Sequence, residues 1–157
     1  MMLHSQEREV AFFIPSFMEK RRSIAVVDGQ GGGIGVLIIK RLREAFGERI
    51  EIIGLGTNAM ATGAMLKAGA NKGASGENAI VQTVQSVDMV VGSIAVVLAN
   101  AMMGELTSKM AEAIASSSAN KYLLPLKTPE AEIIGASKEP LPHLVDQLVH
   151  RIQEILD

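Results

Sequence analysis

Short apolar runs alternate with amphipathic stretches along most of the chain. Ile24 to Asp28 is a short β-branched run, which predicts a buried strand. Ile34, Leu37, Ile38, Leu42 and Phe46 then recur at three- and four-residue spacing, with Lys40, Arg41, Arg43 and Glu44 between them. That spacing predicts an amphipathic helix stopped at Gly47. Ile50 to Leu55 reads as a second strand. Asn58 is placed to cap a helix that carries Met60, Ala64, Met65 and Ala68 and ends at Gly69. Asn71 to Ser75 is a weak third strand or a loop, and Glu77 to Gln85 a helix opened by Gly76. Val87 to Val91 is a strong strand pattern. Ile94 to Met103 fits either a helix or a strand, and a helix is preferred because Ala95, Ala99, Asn100 and Ala101 favour close packing over pleating. A polar-faced helix from Thr107 to Ala115 follows, then a strand from Lys121 to Leu126 ended by Lys127-Thr128-Pro129. A short edge strand is expected from Glu132 to Gly135. Leu144, Val145, Leu148, Val149, Ile152, Ile155 and Leu156 form one stripe, the clearest helix of the chain.

Strands alternating with helices imply parallel pairing through crossover helices. The expected fold is α/β: a Rossmann-like three-layer α/β/α sandwich with a mostly parallel sheet of about five strands. A chain of 157 residues suits one such domain. Residues 18–157 are read as a single Rossmann-like nucleotide-binding domain. Residues 1–17 are read as an N-terminal extension or arm. Val10 to Ile14 is apolar but too short to span a bilayer, and no basic leader precedes it.

Composition narrows the function classes. The formal net charge is −2, which gives no electrostatic case for nucleic acid or an anionic membrane. Aromatic residues make up 3% with no tryptophan, so a base-stacking platform is not expected. Without cysteine there is no disulfide, zinc-thiolate site or cysteine nucleophile, which fits a cytoplasmic location. His4, His143 and His150 form no metal-ligand constellation. Low charge and many Met and Ala residues suggest a homodimer.

The chemistry concentrates in Asp28-Gly29-Gln30-Gly31-Gly32-Gly33-Ile34-Gly35, between an apolar strand and an amphipathic helix. Phosphate needs backbone N–H donors and the positive end of a helix dipole, with no bulky side chain in the way. Gly29, Gly33, Ile34 and Gly35 fit G-x-x-x-G-I-G, a spacing similar to the nucleotide loop of short-chain dehydrogenases. Val36 stands where a Walker loop carries lysine. A dinucleotide site expects an acid at the end of strand two to hold ribose hydroxyls. The chain has Gly56-Thr57-Asn58 there, and Tyr122 lacks a lysine four residues on, so hydride transfer is not expected. The cofactor stays unassigned, with a nucleotide or a dinucleotide such as NAD(P) among the types the loop admits. Asp28 is placed to orient the loop by accepting its N–H groups. Thr57, Asn58 and Ser93 lie at strand ends where ligand contacts collect; for Thr57 and Asn58, helix capping is the competing role. Glu77 and Glu105 are weak acid–base candidates, Glu77 also fitting a carboxylate at a helix N-terminus. Asn100 is either a core hydrogen-bond bridge or a ligand contact.

The runs Ile24–Gly35, Leu55-Gly56-Thr57-Asn58-Ala59, Gly76-Glu77-Asn78-Ala79, Gly104-Glu105-Leu106-Thr107 and Met110–Ile114 resemble an uncharacterised bacterial family, domain of unknown function 3842. The resemblance covers about residues 22 to 142. It implies a Rossmann-like fold and no specific chemistry. A fainter likeness to methylglyoxal-synthase-like phosphate-binding domains runs from Gly56 to Gly92. The expected function is binding of a nucleotide or other phosphate-bearing metabolite. A small enzyme acting on such a ligand, or an oligomeric accessory subunit without one, is the alternative.

Overall fold

A computed structural model describes residues 21–136 and 138–157. The expected arm at residues 1–17 lies outside the described residues. Five strands and five α-helices alternate: β1 (Arg22–Asp28), α1 (Gly33–Phe46), β2 (Ile50–Gly56), α2 (Ala59–Ala68), β3 (Lys72–Ser75), α3 (Glu77–Thr83), β4 (Met89–Ser93), α4 (Ser108–Ser116), β5 (Asn120–Leu124) and α5 (Leu141–Leu156). All strand pairs are parallel, in the order β3-β2-β1-β4-β5. This is the expected three-layer, Rossmann-like α/β fold.

Alternation along the strands assigns the two faces. Ile24 and Val26 of β1, Ile50 and Ile52 of β2, and Met89 and Val91 of β4 point to one side. There they meet Ile38, Ile39 and Leu42 of α1, Met65 of α2, and Leu144, Val145, Leu148 and Ile152 of α5. Ala25, Val27, Leu55 and Val90 point the other way, onto Ile80 of α3 and Met110 and Ile114 of α4. A strand covered on both faces cannot carry polar residues at alternate positions, hence the unbroken apolar runs. α1 packs between α2 and α5. Its end is fastened by Arg43, which donates from Nε to the Gly69 carbonyl (2.9 Å) and from Nη1 to those of Gly47 (2.8 Å) and Ile50 (3.1 Å).

Several boundaries differ from expectation, each for a local reason. β5 ends at Leu124 rather than Leu126, because Pro125 has no N–H to donate. β4 begins at Met89 rather than Val87. Before it, the Asp88 N–H still donates to the Ser23 carbonyl (3.1 Å), and the Asp88 carboxylate adds bonds from the Ser23 N–H (2.8 Å) and hydroxyl. In α2 the buried face is Ala61, Thr62 and Met65, while Met60 is 74% exposed.

Two elements are corrected. Ile94–Met103 is not a helix: one 3-10 turn, Ile94–Val97, leads into turns with Asn100, Met102 and Met103 at positive φ. Ala101 and Leu106 are both fully buried and hydrogen-bonded to each other. Anchors that close leave the intervening chain no room to continue helically. Glu132–Gly135 forms no strand. A single bridge, Thr128 to Ala131, precedes it, and Ile134 is exposed in a turn. Among the described residues no helix is long and apolar enough to cross a membrane.

Candidate functional site

The strand order reverses between β1 and β4. The carboxyl ends of those two strands therefore leave a crevice, since the connections that follow them run to opposite sides. A cleft of about 450 Å³ occupies it. Asp28, Gln30 and Ile34 line it from β1 and the glycine loop, Ser93 and Ala95 from β4, and Lys127 and Thr128 from the chain after β5. Met102 and Met103 form a further wall.

The five loop glycines divide into two groups. Gly29, Gly32 and Gly35 are needed by the fold. A Cβ on Gly29 would lie 2.6 Å from Thr57 Oγ1, and one on Gly35 would lie 2.6 Å from Met65 Sδ and 3.1 Å from Asp28 Cβ. Gly32 has φ 79° and stands 3.0 Å, at its Cβ position, from the backbone of Ala61. Gly31 and Gly33 are different. A Cβ at either would meet nothing within 4 Å. Neither N–H has an acceptor among the described residues. Gly33 is the first residue of α1, and that helix has no side-chain cap and no acidic residue in its first turn. Unsatisfied amides and the positive dipole end thus face open space together.

Asp28 is the loop's internal anchor. The residue is 5% exposed; Oδ1 accepts from the Gly29 N–H and Oδ2 from the Gly35 N–H, both at 2.7 Å. Burial pushes its carboxyl above the usual range, the N–H groups of Gly35, Gly29 and Ile34 pull the other way, and the Glu105 charge adds to the rise. Both oxygens are turned to the backbone, so Asp28 shapes the loop from behind.

Glu105 reaches the same loop from the segment between β4 and α4. Its Oε1 accepts from Thr57 Oγ1 (2.6 Å), Asn58 Nδ2 (2.8 Å) and the Gln30 N–H (2.9 Å). The Thr57 hydroxyl above all, then the Gln30 N–H, hold its carboxyl below the usual range; burial opposes them, and the Asn58 amide adds a smaller lowering. Asn58 is fully engaged: Oδ1 caps α2 by accepting from the Ala61 N–H (2.8 Å), and Nδ2 also donates to the Gln30 carbonyl (3.0 Å). Ser93 is buried at the end of β4, where its Oγ accepts from the Ala95 N–H.

Thr57, Asn58 and Glu105 thus meet the glycine loop beside the cleft without lining it, and two further candidates touch neither. Glu77 accepts from Thr107 Oγ1 at 3.2 Å, joining the N-termini of α3 and α4, and does not line the cleft. Asn100 is exposed in a left-handed turn, neither a buried bridge nor a cleft residue. Sequence reasoning did not single out Lys127 as a site residue. It reads as the end of a strand, yet among the described residues it is the one cation that lines the cleft. The available signal was positional, since residues just past a parallel strand collect at the sheet's carboxyl edge.

The family model for the domain of unknown function 3842 matches residues 23–157. The chain belongs to this family. The match runs from the start of β1 through α5, beyond the last resemblance block, so the C-terminal helix is part of the family's domain. No curated protein and no solved structure matches the chain.

Proposed function

We propose that this family member binds a nucleotide or another phosphate-bearing metabolite, with the phosphate on the glycine loop. The observation that carries the proposal is the pair Gly31 and Gly33. Packing accounts for Gly29, Gly32 and Gly35, whereas Gly31 and Gly33, at the start of a 14-residue helix, meet no neighbour at their Cβ positions and no N–H acceptor among the described residues. A backbone stripped of side chains where nothing presses on it is what an approaching anion requires. Lys127 supplies a cation across the cleft that Val36 does not supply on the loop. Ile34, Ala95, Met102, Leu126 and Pro129 give the cleft apolar walls for the rest of the ligand. Its volume of about 450 Å³ falls in the range of small-molecule sites.

Thermal unfolding with inorganic pyrophosphate, ADP, GDP, NAD, NADP, coenzyme A and sugar phosphates tests the proposal. A ligand at a hundredfold excess over its dissociation constant stabilises the fold by about 2.7 kcal/mol. No shift with any of these compounds refutes it.

A further inference from the structure

The acid missing from the end of β2 in the sequence is supplied in space by another segment. Thr57 and Asn58 directly follow β2, and both hold the carboxylate of Glu105, which the glycine loop also holds through the Gln30 N–H. All three donors converge on Oε1. Oε2 accepts no hydrogen bond among the described residues, and the side chain is part-exposed. We infer that Glu105 is the ribose-hydroxyl acceptor of the site, so that the ligand class is a ribonucleotide with free 2′ and 3′ hydroxyls.

This inference rests on the proposed phosphate site and deepens it. Three bonds on one oxygen fix the carboxylate, so little ordering is lost when a hydroxyl donates to the other. The same donors keep the group ionised, the form that accepts hydroxyl hydrogen bonds and repels a 2′-phosphate. Position agrees as well. Gln30, which holds Glu105, is followed at once by Gly31, whose N–H is open. The hydroxyl acceptor and the phosphate donors thus belong to one loop contact, one residue apart along the chain. A purely structural tie between segments would explain the three bonds on Oε1 but predicts no discrimination among ligands.

Isothermal titration of the wild type with ADP, GDP, their 2′-deoxy counterparts and inorganic pyrophosphate decides the matter. The expected result is binding of at least one ribonucleotide about tenfold or more tighter than its deoxy form, the size of one hydrogen bond to a charged group. Glu105→Gln is expected to bring that ratio close to one. A wild-type ratio near one, or a ratio that survives Glu105→Gln, overturns the assignment. Pyrophosphate binding without binding of either nucleotide overturns it while leaving the loop reading intact. Failure of every probe overturns it too, and the loop reading is then decided by the wider panel of thermal unfolding. If circular dichroism finds Glu105→Gln unfolded, the wild-type ratio alone decides.

Discussion

Gly32 and Gly33 are neighbours, yet the same substitution is expected to act on them in opposite directions. At Gly32 an alanine must adopt φ 79°, which costs an L-residue roughly 1–2 kcal/mol. Its Cβ must also fit 3.0 Å from the Cα and carbonyl oxygen of Ala61, tighter than an ordinary contact and against backbone that cannot swing aside. Together these effects destabilise Gly32→Ala by about 1–3 kcal/mol. At Gly33 the new Cβ meets nothing within 4 Å, and the position is helical. Gly33→Ala therefore restricts the unfolded chain without straining the fold and stabilises by about 0.4–1 kcal/mol. The variants should differ by about 1.4–4 kcal/mol in urea unfolding, or roughly 3–16 °C in Tm for a chain of this size. Equal effects, or a destabilised Gly33→Ala, would refute the division of the loop into packed and open glycines.

Three further outcomes are expected. Asp28→Asn leaves the Gly29 or the Gly35 N–H facing an amide nitrogen in a buried site, so chemical denaturation should find a loss of about 1–3 kcal/mol. Arg43→Met removes donors to the Gly69, Gly47 and Ile50 carbonyls on the far side of α1, and should lower stability by about 2–4 kcal/mol without changing ligand affinity. Because the folded pKa of Glu105 is depressed, its network contributes fully above the unfolded pKa of about 4.3 and is lost as pH falls through the lower folded value. Urea titrations of wild type and Glu105→Gln should accordingly differ by a constant amount above about pH 5 and draw together as the pH falls below the unfolded value.

Much of the fold is legible in the sequence because one physical constraint writes it. Strands covered on both faces must be apolar throughout, and helices covered on one face must be apolar every third or fourth residue. β1, β2, α1 and α5 follow directly from those two periods. Asn58 and Gly69 likewise mark the ends of α2 through their own chemistry, a side-chain acceptor and a left-handed backbone. The segment from Leu98 to Leu106 obeys neither period. Its shape is set by two buried anchors, Ala101 and Leu106, and by positive φ at three residues that carry side chains, where no local rule announces it.

The site divides in the same way. Asp28 and the glycine loop are contiguous, so local sequence reveals them. The partnership of Glu105 with Thr57, Asn58 and Gln30 spans 47 to 75 positions and exists only once the sheet is assembled. Lys127 joins the cleft for that reason too, because β5 lies beside β4.

The open face of the loop admits one direct test. Gly33→Val places a branched side chain where the structure has empty space, so the fold is retained while the approach to the Gly31 and Gly33 N–H groups is blocked. Isothermal titration of the wild type and of Gly33→Val, each with the compound that most stabilises the wild type, measures this. The account predicts saturable binding to the wild type and an affinity loss of at least about a hundredfold in the variant, with unchanged circular dichroism. Equal affinity for both proteins would contradict it.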